Sequence, residues 1–240
     1  MKQVGVNLWA GLDPYTLAAV HGLERWRKED ALNEKRELEQ LSPCERFRYF
    51  AKKKMQQPMR YEWPNFFTLG DSLIEMHPLA KGCFTDLDCG EKFVWHLRSI
   101  YTVESARLQG CGKRVLQTVK EIAELSGAIV ILFVSKFGLR KPGEHNGYSA
   151  FSSLEELVKA SLIEEYETVY FYDWENEPLE KFYLDQGFKN ACLANNCSIY
   201  GEKAGEHWKE HFIYIPTTVE EKYLHQIQHR LNPTLCEFCK

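Results

Sequence analysis

An arginine and two closely spaced glycines precede a long amphipathic pattern in VESARLQGCGKRVLQTVKEIAELSG, the stretch from Val103 to Gly127. The start of a helix presents unpaired backbone N–H groups and the positive end of the helix dipole. Glycines before such a start let a ligand approach the backbone, and Arg107 and Lys113 add positive charge. The pattern therefore predicts a cradle for a diphosphate group. A plain strand-to-helix turn, whose glycines only fit the bend, is the alternative.

Two motifs of this chain resemble motifs of the GNAT acetyltransferases. Arg107-Leu108-Gln109-Gly110-Cys111-Gly112 fits R/Q-x-x-G-x-G/A, the acyl-CoA pyrophosphate loop of that family. Asn176-x-x-Leu179-x-x-Phe182-Tyr183-x-x-x-Gly187-Phe188 resembles N-x-x-A-x-x-F-Y-x-x-x-G-F, which occurs late in GNAT domains. Leu108 departs from the pattern, because many members have a second glycine there. The resemblance covers roughly the region from Phe93 to Ile215.

The resemblance implies an acetyl-CoA site and assigns residues to it. In that family, backbone N–H groups at the end of the central strand hold the pantetheine arm and polarise the thioester carbonyl; here they belong to Tyr101, Thr102 and Val103. By the same match, Tyr183 would protonate the leaving thiolate and Asn176 would bond the pantetheine arm. The pyrophosphate would lie against the loop residues, namely Arg107, Leu108, Gln109, Gly110, Cys111, Gly112 and Lys113.

The implied activity is transfer of an acetyl group from acetyl-CoA to an amine acceptor, by direct attack in a ternary complex. One alternative is a catalytically inactive GNAT-fold module with a CoA-binding or regulatory role. Another is an acetyltransferase that acts on a protein amine or a nucleic-acid-linked amine. The acceptor itself is not identified by the residue pattern.

Direct attack requires a group that removes a proton from the amine and a donor for the tetrahedral oxyanion. Glu104, just past the predicted central strand, is our candidate for the general base. Asp71, Glu75, Asp173 and Glu175 are rivals near other predicted strand ends. A solvated surface carboxylate is the alternative interpretation for each of them.

Four residues near the C-terminus have the types and spacing of zinc ligands, namely His225, His229, Cys236 and Cys239. An exposed helix followed by a loose tail is the favoured interpretation, so we predict no metal site and keep zinc as an alternative. The chain has eight cysteines in 240 residues, too sparse for a small secreted disulfide scaffold. Cys111 is expected to be structural, since direct transfer needs no thiol.

Composition narrows the class of partner. The net charge is −4, which provides no global basic field and argues against a nucleic-acid partner. No apolar run approaches the ~20 residues that span a bilayer. The first ten residues lack the features of a signal peptide. We therefore expect a cytoplasmic protein without a membrane partner, and leave a homodimer or a protein partner open.

Periodicity places these motifs in an α+β architecture. Residues 13–55 are predicted to be helical, 65–78 and 91–103 to be antiparallel neighbours, and Lys113–Ser126 to be a helix before the buried strand 128–135. Residues 136–151 are predicted to be a loop, either a lid or a solvated insertion. The pattern then predicts a helix from Ser152, a strand near 168–174 and a short helix near 176–188. It ends with strand-like pieces up to 216 and a tail helix.

We therefore expect a GNAT-like mixed, mostly antiparallel sheet flanked by helices, with extra N-terminal helices and a C-terminal helical tail. The expected single domain, 1–240, comprises a helical part (1–60), an acyl-CoA-binding core (61–216) with an insertion at about 136–168, and a C-terminal helix and tail (217–240).

Overall fold

The chain divides into two compact units between Leu41 and Ser42. A computed structural model describes residues 14–58, 65–79, 90–133, 136–141, 143, 149–162, 166–171, 177–190 and 211–227. The helical residues that follow Leu41 therefore fall in the same unit as the sheet.

The first unit contains one long helix, α1 (Pro14–Gln40). Its described side chains are almost all exposed, including Leu23 and Trp26. Arg25 and Glu29 form an ion pair one helical turn apart, with 3.1 Å between the nitrogen and oxygen atoms. Such exposed pairs stabilise a helix by only about 0.3–0.5 kcal/mol each. The charge-rich segment is therefore a solvated helical face, as its sequence predicts.

The second unit alternates helices and strands. In chain order its elements are α2 (Pro43–Lys54), β1 (Phe66–Leu69), β2 (Ser72–Pro78), α3 (Gly90–Phe93), β3 (Val94–Thr102), α4 (Cys111–Ser126), β4 (Ile129–Phe133), β5 (Lys136–Arg140), α5 (Leu154–Leu162), β6 (Glu167–Phe171), α6 (Glu177–Asp185), β7 (Lys189–Asn190), β8 (His211–Tyr214) and α7 (Glu221–Ile227).

Within the described residues, the main sheet has six strands in the order β1-β2-β3-β4-β8-β7. β3 and β4 are parallel and are joined through α4, whereas the other neighbouring pairs are antiparallel. β5 and β6 form a separate antiparallel pair. The predicted fold class is therefore confirmed as mixed α+β, with a mostly antiparallel sheet flanked by helices. No helix among the described residues is long and apolar enough to cross a membrane.

Adjacent residues of β3 direct their side chains to opposite faces of the sheet. Trp95 packs into a core shared with α2 and α4, where its ring stacks on Phe47 at 4.7 Å between centroids. Val94 packs into a second core that includes Tyr223 of α7. A third cluster joins α5 to the far end of β3, at Val103. Helices therefore cover both faces of the sheet.

Local signals explain where α2 and α4 begin and end. Ser42 and Glu45 form a reciprocal capping box in front of α2, with Pro43 at the first helical position. The apolar stripe of α4 is buried, and Gly127 ends this helix with a left-handed φ of 72°. A Cβ at Gly127 would lie 3.1 Å from the Thr218 carbonyl oxygen, so the closely packed backbone also favours glycine there.

Two predictions about strands were incomplete or wrong. Residues 65–78 form two strands, because Gly70 and Asp71 make a two-residue turn between the paired residues Leu69 and Ser72. Residues 136–151 are not wholly a loop: Lys136–Arg140 forms β5, which pairs with β6. Polar residues and a central glycine concealed this strand, whose partner lies some 30 residues further along the chain.

One carboxylate joins α4 to the segment that follows β8. Glu124 accepts hydrogen bonds from the Tyr214 hydroxyl at 2.6 Å, the Thr217 hydroxyl at 2.7 Å and the Thr217 amide at 2.9 Å. Partial burial acts to raise the pKa of Glu124, but these donors outweigh it and the pKa lies below the ordinary value. The charged carboxylate therefore stabilises the folded state.

We expect Glu124→Gln to lower the free energy of unfolding by about 1.5–3 kcal/mol at neutral pH, the contribution of hydrogen bonds to a charged group. Because the folded pKa is lower than the unfolded one, the stabilisation is complete above the unfolded pKa and disappears as the pH falls through the folded pKa. Urea denaturation across that pH range measures the difference between the two proteins. Glu121→Gln, which removes an exposed ion pair with Lys54, is the matched control and should cost no more than about 1 kcal/mol. Equal losses in both variants would contradict the role of Glu124.

Candidate functional site

The glycine motif forms a tight connection between β3 and α4. A 3-10 turn covers Glu104–Ala106, and the Arg107 amide donates to the Glu104 carbonyl at 3.1 Å. Gly110, at the N-cap of α4, has a left-handed φ of 77°. A Cβ added to Gly110 would meet no atom within 4 Å, so the backbone there faces open space. The predicted helix start is therefore present and accessible.

The first amides of α4 are left without side-chain caps. No side chain accepts a hydrogen bond at the Gly110 cap. The first bond along the helix runs from the Arg114 amide to the Gly110 carbonyl at 3.1 Å. The amides of Cys111, Gly112 and Lys113 consequently have no hydrogen-bond acceptor among the described residues. They are available to an anionic ligand.

Positive charge surrounds these amides. The first turn of α4 contains no acidic residue, and Lys113 and Arg114 project from it with exposed side chains. Arg107 is half-buried, and its Nε lies 3.5 Å from the Thr102 carbonyl oxygen. The Arg114 guanidinium donates to the Cys111 sulfur at 3.0 Å. Cys111 itself is buried with Ala106 in the third cluster, which is a packing role.

Leu108 has a left-handed backbone, with φ at 62°, and is the non-glycine residue with positive φ in the described chain. Its side chain is fully exposed. For a residue with a Cβ, the left-handed conformation costs roughly 1–2 kcal/mol. The backbone at Leu108 thus favours glycine, the residue that many GNAT members have at this position.

The parallel ladder between β3 and β4 ends early. It pairs Val94 with Ile129 and ends at Leu97 opposite Leu132, whereas the ladder between β3 and β2 continues to Thr102 opposite Ser72. Arg98 is an extra residue at this point, because Leu97 pairs with Met76 and Ser99 pairs with Glu75. A β-bulge of this kind bends a strand and disrupts its pairing. The second half of β3 therefore has a ladder on its β2 side and none on its β4 side among the described residues.

Successive backbone amides of β3 point alternately towards β2 and towards the β4 side, where the ladder has ended. The Val103 amide donates to the Asp71 carbonyl at 3.1 Å, so it faces β2. In an antiparallel pair, every second residue bonds to the same neighbour. Tyr101 therefore also directs its amide to β2, and Thr102 directs its amide to the β4 side. Of the three amides that were predicted to hold a pantetheine arm, that of Thr102 is therefore the one that faces away from β2.

Tyr183 lies on α6, against the sheet face that carries α4. Its ring is 6.2 Å from that of Phe212, which pairs with Leu132 at the last position of the parallel ladder. The neighbouring Phe182 lies beside α4: a Cβ at Gly112 would be 3.8 Å from its ring. The structure thus places Tyr183 near the end of the ladder, and its neighbour Phe182 beside the start of α4.

Burial raises the pKa of Tyr183 to about 12. The phenol is therefore protonated at any physiological pH and is a hydrogen-bond donor. Its hydroxyl has no hydrogen-bond partner within the described ranges. The contacts of the Tyr183 ring are with Phe182, Phe188 and Phe212, all aromatic.

The three described carboxylates near this region differ in their partners. Glu104 is exposed, and its side chain makes no hydrogen bond or ion pair with a described residue. Glu75 is half-buried and engaged, since it accepts from Arg98 at 2.9 Å and from the Ser99 hydroxyl at 3.2 Å. Asp71 is exposed in the turn before β2. The Glu75 carboxylate is thus occupied by two donors, whereas that of Glu104 has no donor among the described residues, which favours Glu104 as the group that accepts a proton.

The insertion packs against the loop, a contact that periodicity did not indicate. The Phe151 carbonyl accepts from the Glu104 amide at 3.0 Å. The Phe151 side chain is buried in one cluster with Ala106 and Leu139. The hydroxyls of Tyr101 and Thr168 lie 3.4 Å apart, which connects β3 with β6. The insertion therefore contributes a wall beside the end of β3 and does not lie wholly in solvent.

Several predicted site residues lie outside the described residues: Asn176, the rival carboxylates Asp173 and Glu175, and the zinc candidates His229, Cys236 and Cys239. The side chain of His225 lies outside them as well. Within the parts of the chain that are described, no group of three or more potential metal ligands occurs.

Comparison with protein-family models, with curated proteins and with solved structures finds no match to this chain. Functional statements about it therefore depend on its own residues and geometry.

We expect Leu108→Gly to stabilise the folded protein by up to about 1 kcal/mol. Relief of the left-handed conformation gains roughly 1–2 kcal/mol, and the greater freedom of glycine in the unfolded chain offsets about 0.4–1 kcal/mol of it. Chemical denaturation measures the change. Leu108→Ala keeps the Cβ and the strain, so it should bring no gain. A loss of stability in Leu108→Gly, or an equal gain in Leu108→Ala, would contradict the assigned strain.

Proposed function

We propose that this protein is an acyl-CoA-dependent N-acetyltransferase of the GNAT type, which transfers an acetyl group from acetyl-CoA to an amine by direct attack. The observation that carries the proposal is the uncapped, positively charged start of α4, directly after a strand whose parallel ladder has ended. The start of α4 would anchor the diphosphate of acetyl-CoA, and the pantetheine arm would extend from it along β3.

The residues at the loop fit a diphosphate. Amide donors of Cys111, Gly112 and Lys113 would hold the phosphate oxygens, supported by the helix dipole. Arg107 and Lys113 would supply the charge-assisted contacts. When bound, acetyl-CoA supplies an acetyl group activated as a thioester. The Thr102 amide, on the side where the ladder has ended, would donate to the arm or to the developing oxyanion.

Tyr183 would act on the leaving sulfur as a hydrogen-bond donor. An ordinary thiol has a pKa of about 8.5, so full proton transfer from a phenol of pKa about 12 would be uphill by roughly 5 kcal/mol. A phenol that stays protonated can nevertheless stabilise the thiolate as its charge develops. Hydrogen-bond donation, followed by proton uptake from water, is therefore the role that the pKa of Tyr183 supports.

Glu104 is the carboxylate we propose for removal of the amine proton. It is two residues past Thr102 and has no cation that competes for it among the described residues. Its amide donates to the Phe151 carbonyl of the insertion, so the insertion would lie beside the acceptor together with Glu104. A panel of substrates would show whether the amine acceptor is a small molecule or a macromolecule.

We expect acetyl-CoA to raise the melting temperature of the wild-type protein, since a ligand at 100 times its Kd contributes about 2.7 kcal/mol. Gly110→Asp should abolish that shift, because it places bulk and negative charge where the phosphates would lie. Gly143→Asp is the matched control: this glycine also has positive φ and open space around it, and it lies outside the loop. No shift in the wild-type protein, or an equal loss in both variants, would contradict the proposed site.

We expect Tyr183→Phe and Glu104→Gln each to lower kcat by about 10–100-fold while the affinity for CoA changes little. Each substitution removes a group that acts on the reacting atoms and not on the anchor. Thiol release from acetyl-CoA across an amine panel, with CoA affinity measured by calorimetry, separates the two effects. Unchanged turnover in either variant would remove that residue from the mechanism. CoA binding without thiol release for any amine would favour the inactive CoA-binding module.

A further inference from the structure

A cavity of about 270 Å³ lies at the start of α2, and no part of the proposed acetyl transfer uses it. Its lining residues are Ser42, Cys44, Glu45, Arg48, Pro78 and Lys92. They come from α2, the end of β2 and the short helix α3. The cavity therefore borders the first residues of β3, where the Cys44 thiol lies 3.5 Å from the Val94 carbonyl oxygen.

This position is remote from the loop that begins α4. β3 runs nine residues from Val94 to Thr102, and at about 3.3 Å per residue its two ends are roughly 26 Å apart. The Arg46 side chain of α2 bonds the Ser126 carbonyl, at the far end of α4, at 2.9 Å. A ligand in the cavity would thus occupy a site of its own.

The described lining residues of the cavity include two cations, Arg48 and Lys92, and one anion, Glu45. The anion, Glu45, is committed to the capping box: its Oε2 accepts from the Ser42 hydroxyl at 2.7 Å and from the Ser42 amide at 2.8 Å. These bonds, and the nearby Arg48 and Lys92, lower the pKa of Glu45. Among the described lining residues, one positive charge is therefore in excess after Glu45 is counted.

Arg48 is held in place but is incompletely bonded. Its guanidinium lies over the Trp95 ring, 5.7 Å from the centroid, a contact that orients it. Its Nε is buried and has no hydrogen-bond partner among the described residues. A buried donor without an acceptor is unfavourable, because it has lost its hydrogen bonds to water. An oxyanion in the cavity would remove that deficit and neutralise the excess charge.

We propose that this cavity binds a small organic carboxylate, with Arg48 and Lys92 as its cationic contacts. The volume is near the lower limit of about 300 Å³ for small-molecule pockets, which is more room than a bare inorganic ion requires. Pro78, Cys44 and the methylene stems of the two cations provide apolar walls for the body of the ligand. This inference does not rest on acetyltransferase activity.

The test is a titration of the full chain with benzoate, with neutral benzamide and inorganic phosphate as comparison ligands, at constant ionic strength. Melting temperature measures binding, and the indole N–H resonance of Trp95 locates it, because that group donates to the Cys44 carbonyl at the edge of the cavity. Benzoate should raise the melting temperature and shift the resonance. Benzamide should do neither, and phosphate should bind more weakly than benzoate.

Lys92→Gln is the decisive variant, because Lys92 is exposed and its loss should leave the fold intact. We expect it to weaken benzoate binding by at least about tenfold, the effect of losing one charge-assisted contact. Lys53→Gln, which changes an exposed lysine of α2 outside the cavity, should have no effect. Absence of benzoate binding, an unchanged affinity in Lys92→Gln, or binding of benzamide or phosphate as tight as that of benzoate would overturn the proposal.

Discussion

Among the described residues, the parallel pairing of β3 with β4 covers four residue pairs, and the site proposed above depends on this short ladder. A bulge at Arg98 shifts the register of β3 against β2 at the same point where the ladder to β4 ends. Backbone amides in a sheet are normally satisfied by the next strand. Among the described residues, the second half of β3 pairs with β2 only, and the Thr102 amide faces the opposite side.

The start of α4 follows from the same geometry. A strand that continued its pairing to Thr102 would have β4 beside the loop, and the first amides of α4 would face protein. With the ladder ended, Cys111 and Gly112 present their amides without side-chain caps, next to Arg107 and Lys113. The core shared by α2, α4 and the sheet keeps this arrangement rigid, since Phe47, Trp95 and the apolar stripe of α4 are packed together. The backbone amides at the start of α4 thus lack side-chain caps, while side-chain packing holds the helix against the sheet.

Sequence patterns were informative where the physical cause is local. The capping box of Ser42, the stripe of α4 and the end of that helix at Gly127 each depend on residues within a few positions of one another. The βαβ unit followed from a helix pattern and a continuous apolar run. The glycine motif was placed correctly at the start of α4, although its ligand stays a prediction.

What sequence reasoning missed depends on residues far apart in the chain. β5 contains polar residues and is a strand because β6 pairs with it. The bulge at Arg98 is a property of two strands, so neither strand alone reveals it. The direction of the Val103 amide follows from its bond with Asp71, more than 30 residues away. The packing of the insertion against the loop, through Phe151, is likewise a tertiary contact.

The central claim is that the first amides of α4 bind the diphosphate of acetyl-CoA. Amide hydrogen exchange of the region 107–114, measured with and without saturating CoA, tests it most directly. The account predicts that CoA slows exchange at Gly110, Cys111, Gly112 and Lys113 more than elsewhere, because those amides gain acceptors. Binding of CoA that leaves their exchange unchanged and protects a different segment would contradict it.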